Sequence, residues 1–183
     1  MRWMRHWKRW LTLSGLALVV IATAFIWAVW NSLSSEWRIE ASAAQYALNH
    51  SPMQQLTSYS VFTGAGAQEV FTGKDGFGRK WVAFVYGPPY AVKSVPSTGM
   101  WSATRLTKSL KLQHITPVHL NLGYFNAAAR ESFHTAADVV WECYVRLPSG
   151  LLAYIYYDAY SGQQIATYIL APSSFSQLTQ NFG

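Results

Sequence analysis

Two things are scarce in this chain of 183 residues: thiols and carboxylates. Its single cysteine, Cys143, makes no internal disulfide, and no Cys-x-x-Cys pair or multi-cysteine metal site can exist. Eight acidic residues in all leave few ways to build a carboxylate pair. Ser-x-x-Lys, Ser-Asp-Asn and Lys-Thr-Gly are all missing, which removes the penicillin-binding type of active site; Gly-x-Ser-x-Gly and His-Glu-x-x-His are missing too. The histidines beyond the first thirty residues, His50, His114, His119 and His134, are scattered, and Pro117 interrupts any helix that would align His114 with His119. Gly64-x-Gly66 and Gly76-x-Gly78 do not open helices, so they are not phosphate loops. Glu131 and Asp138 could flank a cleft as a glycosidase pair does, although acids in so polar a stretch more often face water. Cys143 alternates with Trp141 and Val145 and is expected in the core as a small apolar side chain. These gaps point away from an enzyme, and the residues call for neither a cofactor nor a metal.

What the chain has in excess is a long apolar run. Leu11 to Trp30 contains no charged residue. At roughly 1.5 Å of rise per residue, about twenty residues span a hydrocarbon core of about 30 Å. Arg2, Arg5, Lys8 and Arg9 precede it without an acid, and Trp residues stand at both ends. Basic flanks stay on the cytoplasmic side and indoles favour both interfaces. The expectation is therefore a basic cytoplasmic leader (1–10), a transmembrane anchor (11–30) in contact with membrane lipid, and the remainder outside the cell. A cleavable signal peptide is the competing reading, but its apolar core is shorter and ends in small residues, whereas this run ends in Trp27, Val29 and Trp30. The net charge is +6, and the four cations of the leader account for +4 of it, so the basic balance is an orientation signal and not a sign of nucleic acid.

Beyond the run, Ser35 to His50 reads as a helix, with Trp37, Ala41, Ala44, Gln45 or Tyr46, and Leu48 at three- and four-residue spacing; Ser51-Pro52 ends it. Strands are expected at Leu56 to Phe62, Gln68 to Thr72, Arg79 to Tyr86 and Tyr90 to Val95. Between the second and third, Asp75-Gly76 offers the positive φ of a tight hairpin, and Gly87-Pro88-Pro89 breaks the third from the fourth. The order then restarts. Ser102 caps a helix to Leu112 with Leu106 and Leu110 inward; strands follow at Val118 to Phe125, Val139 to Leu147, Leu151 to Asp158 and Gln163 to Leu170, with a polar, Ala-rich loop at Asn126 to Asp138 that has room for a helical turn. This is an α+β chain: an N-terminal transmembrane helix, then two tandem helix-on-antiparallel-sheet units, 31–98 and 99–171, and a flexible tail at 172–183. One helix on one face buries about half of each strand. Units of about 60 residues bury little surface alone, so the two are expected to pack together near Trp81–Tyr86 and Tyr154–Tyr157.

The string Tyr157-Asp158-Ala159-Tyr160-Ser161-Gly162-Gln163 resembles the Asp-x-x-Thr-Gly turn that PepSY-type domains place between their last two strands. With the N-terminal run and the tandem units, the chain resembles the TseB-like (YpmB-type) cell-wall elongation regulators of Gram-positive bacteria, whose soluble part is a tandem of cystatin-like PepSY units. Gly87 stands where Asp158 would align in the first unit, which lacks the turn signature. The resemblance implies a single-pass, extracellular, non-enzymatic regulator working beside a penicillin-binding transpeptidase or another envelope protein. Tyr86, Tyr90, Tyr157 and Tyr160 fall at equivalent turns and, with Pro88 and Asp158, are the residues expected to contact a protein, through strand addition or aromatic anchoring. Asp158 is equally read as a turn residue whose carboxylate accepts from backbone amides. The alternative function is a protease-inhibitor or pro-segment-like PepSY module, with Gly87-Pro88-Pro89 as its wedge.

Overall fold

The computed structural model describes residues 41–170, together with Ile21, Thr23 and Phe25. Those three are helical. Otherwise the expected leader, the anchor, the first part of the 35–50 helix and the tail lie outside the described residues; among the described residues no helix is long and apolar enough to cross a membrane. The chain divides into Met1–Ser42 and Ala43–Gly183, and the second unit holds both sheets.

The fold is α+β. Residues 41–50 are helical (α1). Four strands follow: β1 (Gln55–Phe62), β2 (Gln68–Lys74), β3 (Lys80–Tyr86) and β4 (Ala91–Pro96), paired antiparallel in sequence order. Next come α2 (Ala103–Leu112), β5 (Thr116–Tyr124), a short α3 (Ala127–Ser132), β6 (Val139–Arg146), β7 (Leu152–Asp158) and β8 (Gln164–Ile169), again a four-stranded antiparallel meander. The expected strands are present within a few residues at each end. Within the loop expected at 126–138, the helical turn is α3. Asn126 caps it by accepting from the Ala129 amide at 2.8 Å, and Ala127 to Ala129 favour the helix.

Helix α2 follows the expectation: Ser102 accepts from the Arg105 amide at 3.1 Å, and Leu106 and Leu110 are buried. Its far end has no glycine, yet it closes in a left-handed turn. His114 adopts φ 57°, while the Ile115 and His114 amides donate to the carbonyls of Leu110 and Lys111. Ile115 then packs into the same core as Leu110. Helix α3 ends in the same way, with His134 at φ 49° and the Thr135 and His134 amides on the Arg130 and Glu131 carbonyls. Both histidines are thus helix terminators.

Half-burial of each strand does not hold for the inner strands. Val82, Ala83, Phe84 and Val85 of β3 are all buried, as are Val139 to Cys143 and Val145 of β6. Each sheet is covered twice. On the first, register puts Phe71, Ala83 and Val85 on one face, and these pack with Ala43 and Ala47 of α1. Val70, Val82 and Phe84 lie on the opposite face and join Phe62 in a core shared with the second sheet. On the second sheet, Glu142 and Tyr156 share one face, where α3 carries Phe133 onto Tyr156 (ring centroids 4.9 Å) and Phe125 (4.5 Å).

The aromatic strands do contribute to the joint: Val82, Phe84 and Tyr86 of the first sheet share one core with Tyr154 to Tyr157 of the second. Trp81 is the exception and packs on the α1 side of the first sheet. The strand that comes closest across the seam is β5, which lies against β1 and β2. Gln68, 4% exposed, reaches across and treats the open edge of β5 as a partner strand: its Nε2 donates to the Tyr124 carbonyl at 2.7 Å and its Oε1 accepts from the Tyr124 amide at 2.9 Å. Beside it, the Phe62 ring lies where a Cβ on Gly123 would stand. An edge strand with free amides and carbonyls is a template for unwanted pairing; here one side-chain amide occupies it.

Candidate functional site

The residues singled out in the sequence are not gathered into one site. Asp158 is the turn residue expected: its carboxylate accepts from the Tyr160 amide at 2.8 Å, its carbonyl accepts from the Gly162 amide, and Gly162 takes φ 73°. Tyr160 stands at the surface, 39% exposed, its hydroxyl pushed above the usual phenol range by partial burial and then by the charges of Asp138 and Asp158. Tyr157 is only 5% exposed, and burial, then Cys143, pushes it up to about 12. Pro88 is exposed in the β3–β4 turn. Tyr86 and Tyr90, although neighbours in that turn, pack on opposite faces of the sheet: Tyr86 against the shared core and Tyr90 beside Tyr46 at 5.5 Å. Cys143 is fully buried, and burial, then the Glu142 charge, pushes its thiol up to about 12, so it is no nucleophile. Among the described residues no three His, Cys, Asp or Glu side chains stand close enough to hold a metal.

A concave site lies elsewhere, between the two sheets. A cleft of about 400 Å³ opens where Thr57, Thr72, Lys74, Lys80 and Val82 of the first sheet face Leu122 and Trp141 of the second and the residues leading into α2, Met100 to Ala103. Its apolar floor is set by two local contacts. Trp141 donates its indole N–H to the Trp101 carbonyl at 3.0 Å, and the Trp101 amide donates to the Ala159 carbonyl at 2.7 Å. The Trp101 ring takes the space a Cβ on Gly162 would need, and the Arg105 guanidinium lies over it at 3.9 Å. Hydroxyls line one wall: a bulge at Thr57 lets Thr57 and Ser58 both reach the Thr72 hydroxyl, at 2.9 and 2.6 Å.

Lys74 and Lys80 are register partners, and their side chains share the Val82 face because residues two apart along a strand do. Both are exposed at the mouth of the cleft. They also frame the β2–β3 hairpin, whose geometry rests on Asp75. One carboxylate oxygen accepts from the Phe77 and Arg79 amides, both at 2.9 Å; the other accepts from the Arg79 Nε at 2.6 Å and the Trp81 indole at 3.1 Å. Burial alone would raise this acid, but the Arg79 and Trp81 side chains and the two amides outweigh it and hold it at about 2. The left-handed residue of the turn is Gly78, φ 76°, and not Gly76 as Asp75-Gly76 suggested. At the tip Phe77 is 87% exposed, with the Arg79 guanidinium over its ring at 5.3 Å. Arg79–Asp75 is the one ion pair among the described residues, so neither lysine is paired with a carboxylate.

No family model matches this chain, and no curated protein matches it. Among solved structures, the YpmB protein from Bacillus subtilis is similar, with a TM-score of 0.58 and 16% sequence identity over 71% of this chain and 96% of that chain. The fold is YpmB-like. At this identity the likeness is one of backbone architecture, and it extends over nearly all of the YpmB chain.

Within the YpmB-like fold, two polar features escaped the sequence. Glu142, 4% exposed, accepts from the Tyr156 hydroxyl at 2.8 Å, and burial raises the acid despite that hydrogen bond. Gly64 leaves room for the pair: a Cβ there would stand 2.6 Å from both oxygens. The other is the Asp75 clasp, for which the sequence signal is an Asp at a turn entry with Arg79 and Trp81 four and six residues on to donate to it.

Proposed function

We propose that this chain is a membrane-tethered, extracytoplasmic regulatory module that acts by docking to another envelope protein, a penicillin-binding transpeptidase of wall elongation. The observation carrying this reading is the YpmB-like architecture, matched along 96% of the YpmB chain. Three further features support it. Leu11 to Trp30 has the length and basic flank of an anchor. The two most buried acids, Asp75 and Glu142, are committed to a hairpin and to Tyr156, which is structural work. Exposed aromatic side chains, Phe77 and Tyr160 among them, offer anchors of the kind that dominate protein interfaces. The test is in-cell photo-crosslinking from an unnatural side chain at Tyr160 or Pro88 of the full chain, followed by mass identification. A transpeptidase adduct is the expected result; adducts to lipid alone refute the reading. Carbonate extraction tests the tether, and release of the mature chain from the membrane refutes it.

A further inference from the structure

The charge lining the inter-sheet cleft is of one sign. Lys74 and Lys80 line it and no acid does. Below Lys74 stands the Thr72 hydroxyl, below Lys80 stands Val82, and the floor beyond is apolar: Met100, Trp101, Leu122 and Trp141. Its volume, about 400 Å³, suits a few side chains and not a long polymer. A polyphosphate or acidic glycan would be served by a continuous basic strip. An apolar floor under a lysine rim instead matches a ligand that carries a carboxylate next to a hydrophobic side chain. The hairpin bearing the same two lysines holds Phe77 out at 87% exposure, on a turn fixed by the four hydrogen bonds to Asp75. A preorganised aromatic loses little entropy on docking.

We propose that this cleft and the adjoining hairpin tip bind a short acidic segment of a protein partner: an Asp or Glu side chain pairs with Lys74 and Lys80, a neighbouring apolar side chain enters over Trp101 and Trp141, and Phe77 packs on the partner beside it. The proposal rests on the docking function above and names the surface that carries it. Rim charges set encounter and register, while the apolar contact holds the complex.

The experiment uses the full chain in cells with a photo-crosslinking residue at Met100 in the cleft or at Phe77 on the tip, and at Pro88, in the β3–β4 turn, as the outside position. Cleft and tip positions are expected to give adducts mapping to a peptide with an Asp or Glu next to an aliphatic or aromatic residue. The double variant Lys74→Glu/Lys80→Glu is expected to lower those adducts at least about tenfold, and Lys74→Arg/Lys80→Arg to retain them. Both lysines are exposed, and an unchanged melting temperature shows that the reversed variant is folded. Adducts from Pro88 that persist in the reversed variant, with none from the cleft, overturn this surface and leave the docking function standing. No protein adduct from any position overturns the docking function itself. A cleft adduct to lipid, to wall glycan or to a peptide without acids overturns the acidic-segment assignment.

Discussion

Gln68 should be the most informative single residue for the seam between the two sheets. Replacing it by methionine keeps nearly the same volume and removes both hydrogen bonds to the Tyr124 backbone. If water could replace them fully, each lost bond would cost about 1 kcal/mol; a group left without a partner costs about 1–3 kcal/mol. Gln68 is 4% exposed and Tyr124 is half-buried, so water has poor access. The expected loss for Gln68→Met is therefore about 2–4 kcal/mol. Gln68→Glu should be at least as damaging at neutral pH, since a carboxylate cannot donate to the Tyr124 carbonyl and would face it with like charge. The assay is urea unfolding of the full chain followed by tryptophan fluorescence, paired with amide exchange at Tyr124, which should speed up in both variants. A Gln68→Met protein within about 0.5 kcal/mol of the parent, with Tyr124 exchange unchanged, would show that the amide pairing contributes nothing and that packing alone holds the seam.

Four further outcomes follow from the same geometry. His114→Gly should stabilise by about 0.5–1 kcal/mol in thermal unfolding, because the left-handed cap penalises a side chain more than glycine loses in chain entropy. Gly123→Ala should cost about 1–3 kcal/mol by driving a methyl into the Phe62 ring, and restoring space with Phe62→Leu should recover part of it. Asp75 is held at about 2 against an ordinary 3.8, so its contribution is complete above 3.8 and lost as pH falls through about 2; in Asp75→Asn the melting temperature should vary less over that interval than in the parent. Glu142 is raised by burial, so its contribution is full below the ordinary carboxylate range and lost as pH rises through the raised value. Glu142→Gln, which still accepts from Tyr156, should melt higher than the parent at pH 8 and show no such decline.

Local chemistry was legible in the sequence, and the places where it was not share one cause. Ser102 as a cap, Asp158 with Gly162 as a turn, and Leu106 with Leu110 as an inward stripe are each decided by residues within a turn of one another. The α3 turn is also local, since Asn126 before three alanines is a cap and a helix, although the polar composition of 126–138 favours a loop around it. Gln68 is different. Nothing within its own strand marks it, because its partner is 56 residues away. The same holds for burial on both faces of β3 and β6, which requires knowing that the other sheet or α3 covers the second face. The candidate site divides along this line. Its hairpin could have been read from Asp75, Gly78 and Arg79, whereas its floor joins Leu122, Trp101 and Trp141 to strands of the first unit and exists only in the folded chain.

The seam also decides how charge is presented. Residues 41–170 carry nine Lys and Arg against six Asp and Glu, and two of those acids, Asp75 and Glu142, are buried. Glu142 is withdrawn from the surface, while Asp75 cancels Arg79 in the hairpin ion pair, and the excess that remains is concentrated. Lys74 and Lys80 lie on one hairpin, and Arg105 lies over Trp101 in the first turn of α2, which has no acid. Packing β5 onto the first sheet brings the start of α2 to the same cleft as that hairpin. Two stretches some thirty residues apart in sequence thus add their fields at one mouth. Such a field steers an acidic partner at a distance and weakens within about 8 Å at physiological ionic strength. Association at this surface should slow steeply as salt rises, while dissociation, governed by the tryptophan floor, should change little. Equal salt sensitivity of the two rates would mean that the lysines act in the bound complex and not in the approach.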